Sequence, residues 1–287
     1  MSLVRVHNFS ISLDGFGTGE GQTLEAPFGH AGSRLVEWAF ETRTFRAMGL
    51  HGESAGSSGV DEAFASAWKP GIGAEIMGRN KFGPHRGPWE DHEWKGWWGG
   101  NPVFHTPVVV LTHHPRPVLE MEGGTTFHFV DAEPAAALAQ ARELAGGLDV
   151  RIGGGVTTVR AFLEADLIDH LHIVLVPIVL GRGERLWDSL EGLEQRFAIE
   201  ATPSPSGVVH LILTRRARWP PVLAGRGDRR DRPSSDGNGD TRADALSACR
   251  GPRRPGTSGC RAPRAWTAAG RRSRAAGPRC PRPAPGG

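Results

Sequence analysis

Residues 149–187, DVRIGGGVTTVRAFLEADLIDHLHIVLVPIVLGRGERLW, restrict the fold of this chain more than any other segment. Residues 149–152 have the pattern of the end of a buried strand, and residues 171–176 have that of a second strand. Between them the spacing predicts a helix that buries Val159, Phe162, Leu163 and Leu167. A strand that passes through a glycine-rich turn into a helix and then into another strand indicates an α/β fold.

Three glycines, Gly153, Gly154 and Gly155, occupy the turn, and Thr157 and Thr158 start the helix. Such a turn lets an anion approach bare backbone N–H groups at the positive end of the helix dipole, so it is suited to the pyrophosphate of a dinucleotide. The alternative is a tight turn that needs glycine only for its backbone angles. GGG is not the G-x-G-x-x-G fingerprint, so the spacing alone leaves both interpretations open.

The remaining elements can be read in chain order. Strands are predicted at 3–9, 74–77, 108–112 and 125–130, and helices at 60–68 and 133–144. Residues 10–32 carry six glycines and are expected to form a long mobile loop, followed by a helix capped by Ser33 that runs to about Met48. Residues 49–59 read as a further loop. Residues 199–202 and 208–214 predict a terminal antiparallel hairpin. The resulting fold class is a mixed, mostly parallel sheet in a three-layer α/β architecture.

Residues 84–107 contain four tryptophans and three histidines in an irregular stretch. A segment of this kind is expected to pack as a flap on the sheet or at a dimer contact, where aromatic side chains are enriched. The histidines His85, His92 and His105 match no simple metal-ligand spacing, so no metal site is assigned to them.

The charge distribution divides the chain in two. Residues 1–215 contain 17 basic and 26 acidic residues, a formal charge of −9, whereas the remainder contains 17 arginines and 5 aspartates. We therefore expect one folded domain at 1–216 and a disordered Arg/Pro/Gly-rich tail at 217–287. The acidic domain argues against nucleic-acid binding by that part. The tail is either a nucleic-acid-binding extension or the product of a GC-rich reading frame read out of register.

Several features of the sequence bear on the cellular location of the protein. All three cysteines lie in the tail, so the predicted domain has neither a disulfide framework nor a thiolate metal site. No signal peptide is evident, and no apolar stretch reaches the length of a membrane span. These features predict a cytoplasmic protein without a membrane partner.

The glycine segment resembles the closing part of the dihydrofolate reductase-like family, in the branch that includes the reductase domain of bacterial riboflavin biosynthesis proteins. Three further pieces agree in order: SLDG at 12–15, MGR at 77–79, and the strand at 108–112 before a basic turn. Together they cover about residues 3–215. The resemblance implies an NADPH-dependent reductase that acts on a pyrimidine-like or pterin-like small molecule, and it suggests a homodimer.

The cofactor residues follow from this resemblance and from their positions. Arg79, between Gly78 and Asn80, follows a strand end, where open α/β sheets bind ligands, and a guanidinium there suits the 2′-phosphate of NADPH. Lys81 stands where relatives often carry threonine, and it would add attraction for phosphate. Thr112, His113 and Arg116 would contact the adenosine side. Gly153, Gly154, Gly155, Thr157 and Thr158 would receive the pyrophosphate.

Asp14 is the candidate catalytic residue, because a carboxylate beside a nicotinamide orients the substrate or relays a proton. The alternative for Asp14 is an Asx turn, since Asp-Gly is a common turn pair. Glu37 and Trp38, on the first predicted helix, are secondary candidates by comparison with dihydrofolate reductases.

The sequence differs from the bifunctional riboflavin-pathway enzymes in two features, which limit how far a substrate can be assigned. Riboflavin-pathway reductases commonly carry an acidic residue just before the glycines, whereas here Ile152 is followed directly by Gly153. The zinc deaminase signature of the bifunctional enzymes is also missing. The sequence thus predicts a reductase resembling 5-amino-6-(5-phosphoribosylamino)uracil reductase. The alternatives are a dihydrofolate or other pterin reductase, and a non-catalytic nucleotide- or nucleic-acid-binding protein.

Overall fold

A computed structural model describes residues 2–49, 56–84 and 86–216. The predicted tail at 217–287, the greater part of the predicted loop at 49–59, and His85 lie outside this part of the chain. The described strands are β1 (Val4–Ser12), β2 (Phe16–Thr18), β3 (Ile72–Gly78), β4 (Pro107–Leu111), β5 (Leu119–Glu120), β6 (Thr126–Val130), β7 (Asp149–Gly154), β8 (His170–Val176), β9 (Glu184–Arg185), β10 (Phe197–Pro203) and β11 (Val209–Arg215).

The described α-helices are α1 (Glu37–Phe40), α2 (Arg43–Ala47), α3 (Val60–Ser66), α4 (Arg79–Phe82), α5 (Pro134–Leu144) and α6 (Val156–Glu164). Short 3₁₀ helices occur at Gly29–Leu35, Glu122–Gly124 and Leu193–Arg196. None of these helices is long and apolar enough to cross a membrane.

A nine-stranded sheet in the order β10-β11-β8-β1-β7-β3-β4-β6-β5 forms the centre of the fold. The strands from β8 through β6 are mutually parallel, while β11, β10 and β5 run antiparallel to their neighbours. The predicted mixed sheet with a C-terminal antiparallel hairpin is confirmed. Its parallel strands all place their carboxyl ends at one edge, where ligands of open α/β sheets bind.

The two faces of the sheet are covered differently, which gives the three predicted layers. On one face α5 and α6 pack on β3, β4 and β7, and the buried cluster there includes Ile76 and Ile152. On the other face α1 and α3 cover one part of the sheet. The Trp-rich segment covers another part of that face, around Met77 and Val108. Successive residues of β3, Ile76 and Met77, thus enter different cores, as the period of a strand requires.

The Trp-rich segment packs on the sheet as the predicted flap. Trp89 meets Phe129 at 5.4 Å between ring centroids, and Trp98 meets Phe104 at 4.7 Å, both edge to face. Among the described residues there is no group of three or more His, Cys, Asp or Glu side chains arranged to hold a metal ion.

Two predictions between residues 10 and 48 were wrong. The expected loop at 10–32 begins only after more strand, because β1 extends to Ser12 and β2 pairs with β9, burying Phe16. The single helix expected from Ser33 is instead a 3₁₀ helix followed by α1 and α2. The Ser33 hydroxyl donates to the Glu37 carboxylate, and Thr42 caps α2 by accepting from the N–H of Phe45.

A chain of buried histidines ties the C-terminal hairpin to α3. The N–H of Asn8 donates to Nδ1 of His172 at 3.1 Å, which leaves the proton of that ring on Nε2. His172 then donates to Nδ1 of His210 at 3.0 Å, and Nε2 of His210 donates to Asp61 at 2.9 Å. Phe64 stacks on His210 at 4.2 Å. The two links in which a ring nitrogen accepts, at Nδ1 of His172 and at Nδ1 of His210, require neutral imidazole.

Burial makes the fold acid-sensitive through these rings. It lowers the pKa of His172 to about 3 and that of His7, on β1, to about 2. In the unfolded chain both rings bind a proton as the pH falls through about 6.5. The stabilisation by the neutral rings is therefore complete above that pH and is lost as the pH falls towards the folded pKa values.

We expect the free energy of unfolding to fall by roughly 2 kcal/mol for each of these two histidines between pH 7 and pH 5. Denaturant titrations at several pH values measure this slope. His172→Gln, which keeps an acceptor for the N–H of Asn8 but does not titrate, should flatten the slope by the share of one histidine. His92→Gln, at an exposed position in the Trp-rich segment, is the control. A slope equal to wild type in His172→Gln would contradict the assignment.

Candidate functional site

The candidate residues gather at the edge formed by the carboxyl ends of the parallel strands. Asp14 follows β1, Arg79 and Asn80 follow β3, Thr112 and His113 follow β4, and the glycine turn ends β7. Because β7, β3 and β4 are neighbours in the sheet, the glycine turn and Arg79 lie at adjacent strand ends of one edge.

The glycine turn joins β7 to α6 at this edge. Gly155 precedes the helix and accepts a hydrogen bond from the N–H of Val159 at 3.0 Å, so the helix starts directly behind the turn. A Cβ atom placed on Gly155 would meet no heavy atom within 4 Å, so the space in front of the turn is open. The first N–H groups of α6 have no carbonyl partner within the helix, so they are available to an anion.

The two threonines of α6 differ in what they contact. Thr157 is exposed at the helix start. Thr158 is buried, and its Oγ1 would lie 2.3 Å from a Cβ on Gly78. Gly78 therefore lacks a side chain because the hydroxyl of Thr158 occupies that space, and this contact brings the end of β3 against the start of α6.

A cleft of about 350 Å³ opens over the ends of β3, β4 and β6, and the glycine turn does not line it. Its lining comprises Arg79, Asn80, Arg86, Gly87, Leu111, Thr112, His113, His114, Asp131 and Ala132. Four of the predicted cofactor residues thus share one concave surface.

Arg79 is held at the wall of this cleft by the Trp-rich flap. Its guanidinium lies 3.9 Å from the centroid of the Trp89 ring, and Nη1 donates to the carbonyl of Gly87. Burial lowers the pKa of Arg79. Nε and Nη2 are buried without a hydrogen-bond partner, and Arg79 has no carboxylate partner among the residues that the structure describes. An arginine in this state is suited to an anionic ligand.

Arg116 lies elsewhere. Its guanidinium packs 4.5 Å from Trp89 and 4.4 Å from Phe129, and Nη2 donates to the carbonyl of Trp94 at 2.8 Å. This arginine holds the flap on the sheet and does not line the cleft, so the structure gives no support for its predicted contact with adenosine.

His113 and Thr112 have different roles in the cleft wall. His113 is exposed, and its Nδ1 lies 3.0 Å from the carboxylate of Asp131. Thr112 is buried, and its hydroxyl accepts from the N–H of His114 at 3.1 Å, which shapes the turn after β4. A ligand in the cleft would therefore meet the ring of His113 before the hydroxyl of Thr112.

Asp14 binds the segment that follows β8. Its carboxylate accepts from the Ser12 hydroxyl at 2.6 Å, from the N–H of Leu180 at 3.1 Å and from the N–H of Gly181 at 2.7 Å. These hydrogen bonds, that of Ser12 first, lower the pKa of Asp14 to about 2. Asp14 is therefore ionised at neutral pH, which favours a role as a hydrogen-bond acceptor over one as a proton donor.

Glu37 and Trp38, the secondary candidates, lie at α1. Trp38 is buried and donates from Nε1 to the hydroxyl of Ser10 at 2.9 Å, while Glu37 accepts from Ser33. Trp38 thus attaches α1 to β1, and this contact accounts for its burial.

A buried group of charges beneath the glycine turn was missed by the sequence analysis. The carboxylate of Glu75, on β3, lies 3.3 Å from Nζ of Lys81 and 3.4 Å from Nη1 of Arg151. Lys81 also donates to the carbonyl of Gly153 at 2.6 Å, and Arg151 lies 4.6 Å from the Trp68 ring. The available signal was a glutamate within AEIM, an otherwise apolar strand.

Comparison with known proteins bears on this site. A family model described as the RibD C-terminal domain matches residues 6–209. A search of curated proteins found no match.

Among solved structures, the chain is similar to a putative riboflavin biosynthesis protein from Shewanella sp. PV-4, with 18% identity, a TM-score of 0.44, and coverage of 76% of this chain and 100% of that one. It is similar to RibD from Acinetobacter baumannii, with 16% identity, a TM-score of 0.43, and coverage of 76% of this chain and 59% of that one. A pyrimidine reductase-like protein from Corynebacterium diphtheriae has 14% identity and a TM-score of 0.40, with coverage of 75% and 91%.

The contacts of Asp14 predict a change in the segment after β8. Asp14→Asn removes the charge and replaces one acceptor oxygen by an NH₂ group, so it should loosen the segment that contains the exposed Arg182. We expect trypsin to cleave after Arg182 several times faster than in wild type, because the segment opens locally more often. Asp188→Asn, at an exposed aspartate that pairs with Arg160, is the control. Equal cleavage rates in Asp14→Asn and wild type would show that the carboxylate does not hold this segment.

Proposed function

Since the chain belongs to the family of RibD C-terminal domains, we propose that it is an NADPH-dependent reductase whose active site lies at the carboxyl edge of the sheet. The observation that carries the proposal is the family match over residues 6–209, which include every candidate residue. The substrate proposed is a small aminopyrimidine that carries a ribosylamino group, as in 5-amino-6-(5-phosphoribosylamino)uracil.

The residues at this edge fit the coenzyme. The open space in front of Gly155 and the start of α6 suit a diphosphate, which would accept hydrogen bonds from backbone N–H groups. Arg79, which lacks a carboxylate partner among the described residues, suits the 2′-phosphate. Asn80, Thr112 and His113 would then contact the adenosine side of the cleft. NADPH bound there supplies a hydride for an electrophilic C=N or C=O carbon.

Asp14 is proposed to orient the substrate. It follows the end of β1 at the same edge and is ionised at neutral pH, so it would accept a hydrogen bond from an N–H or O–H of the substrate. Because its pKa is far below neutrality, it is not proposed as the proton donor.

Coenzyme binding tests the first part of the proposal. In Arg79→Ala the dissociation constant for NADPH should rise by about ten- to a hundredfold, the range expected for a lost charge-assisted hydrogen bond. The constant for NADH, which has no 2′-phosphate, should change little. Titration of intrinsic tryptophan fluorescence measures both constants, and Arg142→Ala, at an exposed position on α5, is the matched control.

The possible results separate the parts of the proposal. Equal weakening of NADPH and NADH would overturn the assignment of Arg79 to the 2′-phosphate. No binding of either coenzyme to the wild-type protein would overturn the reductase itself.

A substrate screen tests the second part. The absorbance of NADPH should decrease with the ribosylated aminopyrimidine and not with dihydrofolate or dihydropterin. Oxidation with the pterins alone would replace the proposed substrate by a pterin.

A further inference from the structure

The carboxylate of Glu75 lies where a side chain at position 153 would lie. A Cβ atom placed on Gly153 would be 2.0 Å from Oε1 of Glu75 and 2.7 Å from Nζ of Lys81. Gly153 is therefore glycine because a neighbouring strand has filled its side-chain space. Its φ is not in the left-handed region, so backbone conformation does not require glycine there.

Lys81 connects this carboxylate to the glycine turn. Its ammonium donates to the carbonyl of Gly153 at 2.6 Å and to Glu75 at 3.3 Å. The carbonyl of Gly153 and the N–H of Gly154 belong to one planar peptide unit. An ammonium that holds the carbonyl therefore also fixes the orientation of the N–H of Gly154.

The burial of these groups makes their pairing obligatory. The side chain of Glu75 is 2% exposed, and burial of a carboxylate without partners is strongly unfavourable. Arg151, from β7, contacts the other carboxylate oxygen, so the carboxylate of Glu75 lies between two cations from two different elements. The chain thus has an acidic residue at this buried position although burial of a carboxylate is unfavourable.

We propose that Glu75 and Lys81 together position the glycine turn for coenzyme binding. Glu75 fixes the ammonium of Lys81, and Lys81 fixes the carbonyl of Gly153 so that the backbone N–H groups of the turn face the diphosphate. In this role Lys81 contacts the protein and not the phosphate. The inference rests on the proposed function, because it assigns these residues to the diphosphate end of the same site.

Coenzyme affinity should consequently depend on pH. Burial lowers the pKa of Lys81 to about 8, although Glu75 acts in the opposite direction. The charged groups that face Lys81 are Glu75 from β3 and Arg151 from β7. As the pH rises through about 8, Lys81 loses its charge, its bond to the carbonyl weakens, and coenzyme binding weakens with it.

The test compares the dissociation constant for NADPH from pH 6.5 to pH 9.5 in the full-length protein and its variants. In wild type the constant should rise by about tenfold over this range, the effect of weakening one charge-assisted hydrogen bond. Lys81→Met should bind about tenfold more weakly at pH 7 and show no rise. Lys81→Arg, which keeps its charge throughout, should bind more tightly than Lys81→Met and also show no rise. Lys95→Met, at an exposed position in the Trp-rich segment, should behave as wild type.

These results distinguish the inference from the function on which it rests. If wild type binds NADPH and Lys81→Met keeps both its affinity and its pH profile, the inference is wrong and the reductase proposal stands. If wild type binds no NADPH at any pH, both are wrong.

Moving the carboxylate between strands gives a second test that does not depend on removing Lys81. Gly153→Glu alone should weaken NADPH binding by at least tenfold, since the new side chain meets Glu75. Combined with Glu75→Ala, the same substitution returns a carboxylate to the vicinity of Lys81 and should recover most of the lost affinity. Thermal unfolding of each variant checks that it is folded. A folded double variant that binds no better than Gly153→Glu would overturn the inference.

Discussion

The parallel arrangement of β8, β1, β7, β3, β4 and β6 is the constraint on which the site depends. Each of these strands ends at the same edge, so residues distant in sequence, such as Asp14 and Gly155, are delivered to one side of the sheet. The pairing of β3 with both β7 and β4 then sets Arg79 between the glycine turn and His113. The strand order therefore brings these strand ends together.

The two faces of the sheet are built on different physical principles. The face under α5 and α6 is apolar, and it contributes burial of hydrophobic surface without specific partners. The opposite face contains the histidine chain at β8 and β11 and the charges around Glu75, between the cores formed with α3 and with the Trp-rich flap. Polar groups buried in this way demand exact partners and so specify one arrangement of α3, the hairpin and the glycine turn. This face is therefore the one on which pH acts.

The Trp-rich flap connects packing to the site. Trp89 is contacted by Arg79 from the cleft and by Arg116 from the segment after β4, while its Nε1 donates to the carbonyl of His114 at 2.5 Å. The ring thus fixes the guanidinium of Arg79 through its face and the turn after β4 through its edge. An irregular segment without regular secondary structure is in this way responsible for the shape of the cleft.

The sequence by itself determined the strand–glycine–helix unit, the order of the longer strands and helices after residue 60 but not the short α4, β5 and β9, and the position of the candidate residues after strand ends. These features follow from the periodicity of the apolar residues and from the positions of the glycines, both of which can be read directly from the sequence. The predictions from sequence were wrong between residues 10 and 48. There the pairing of β2 with the distant β9 and the capping of α2 by Thr42 outweigh the local propensity for a loop and a single helix. Only the tertiary structure decided that Glu75 occupies the side-chain space of Gly153, that Lys81 binds the carbonyl of that residue, and that Arg116 supports the flap. Each of these contacts joins residues from separate elements of the fold, and no spacing along the chain predicts such a contact.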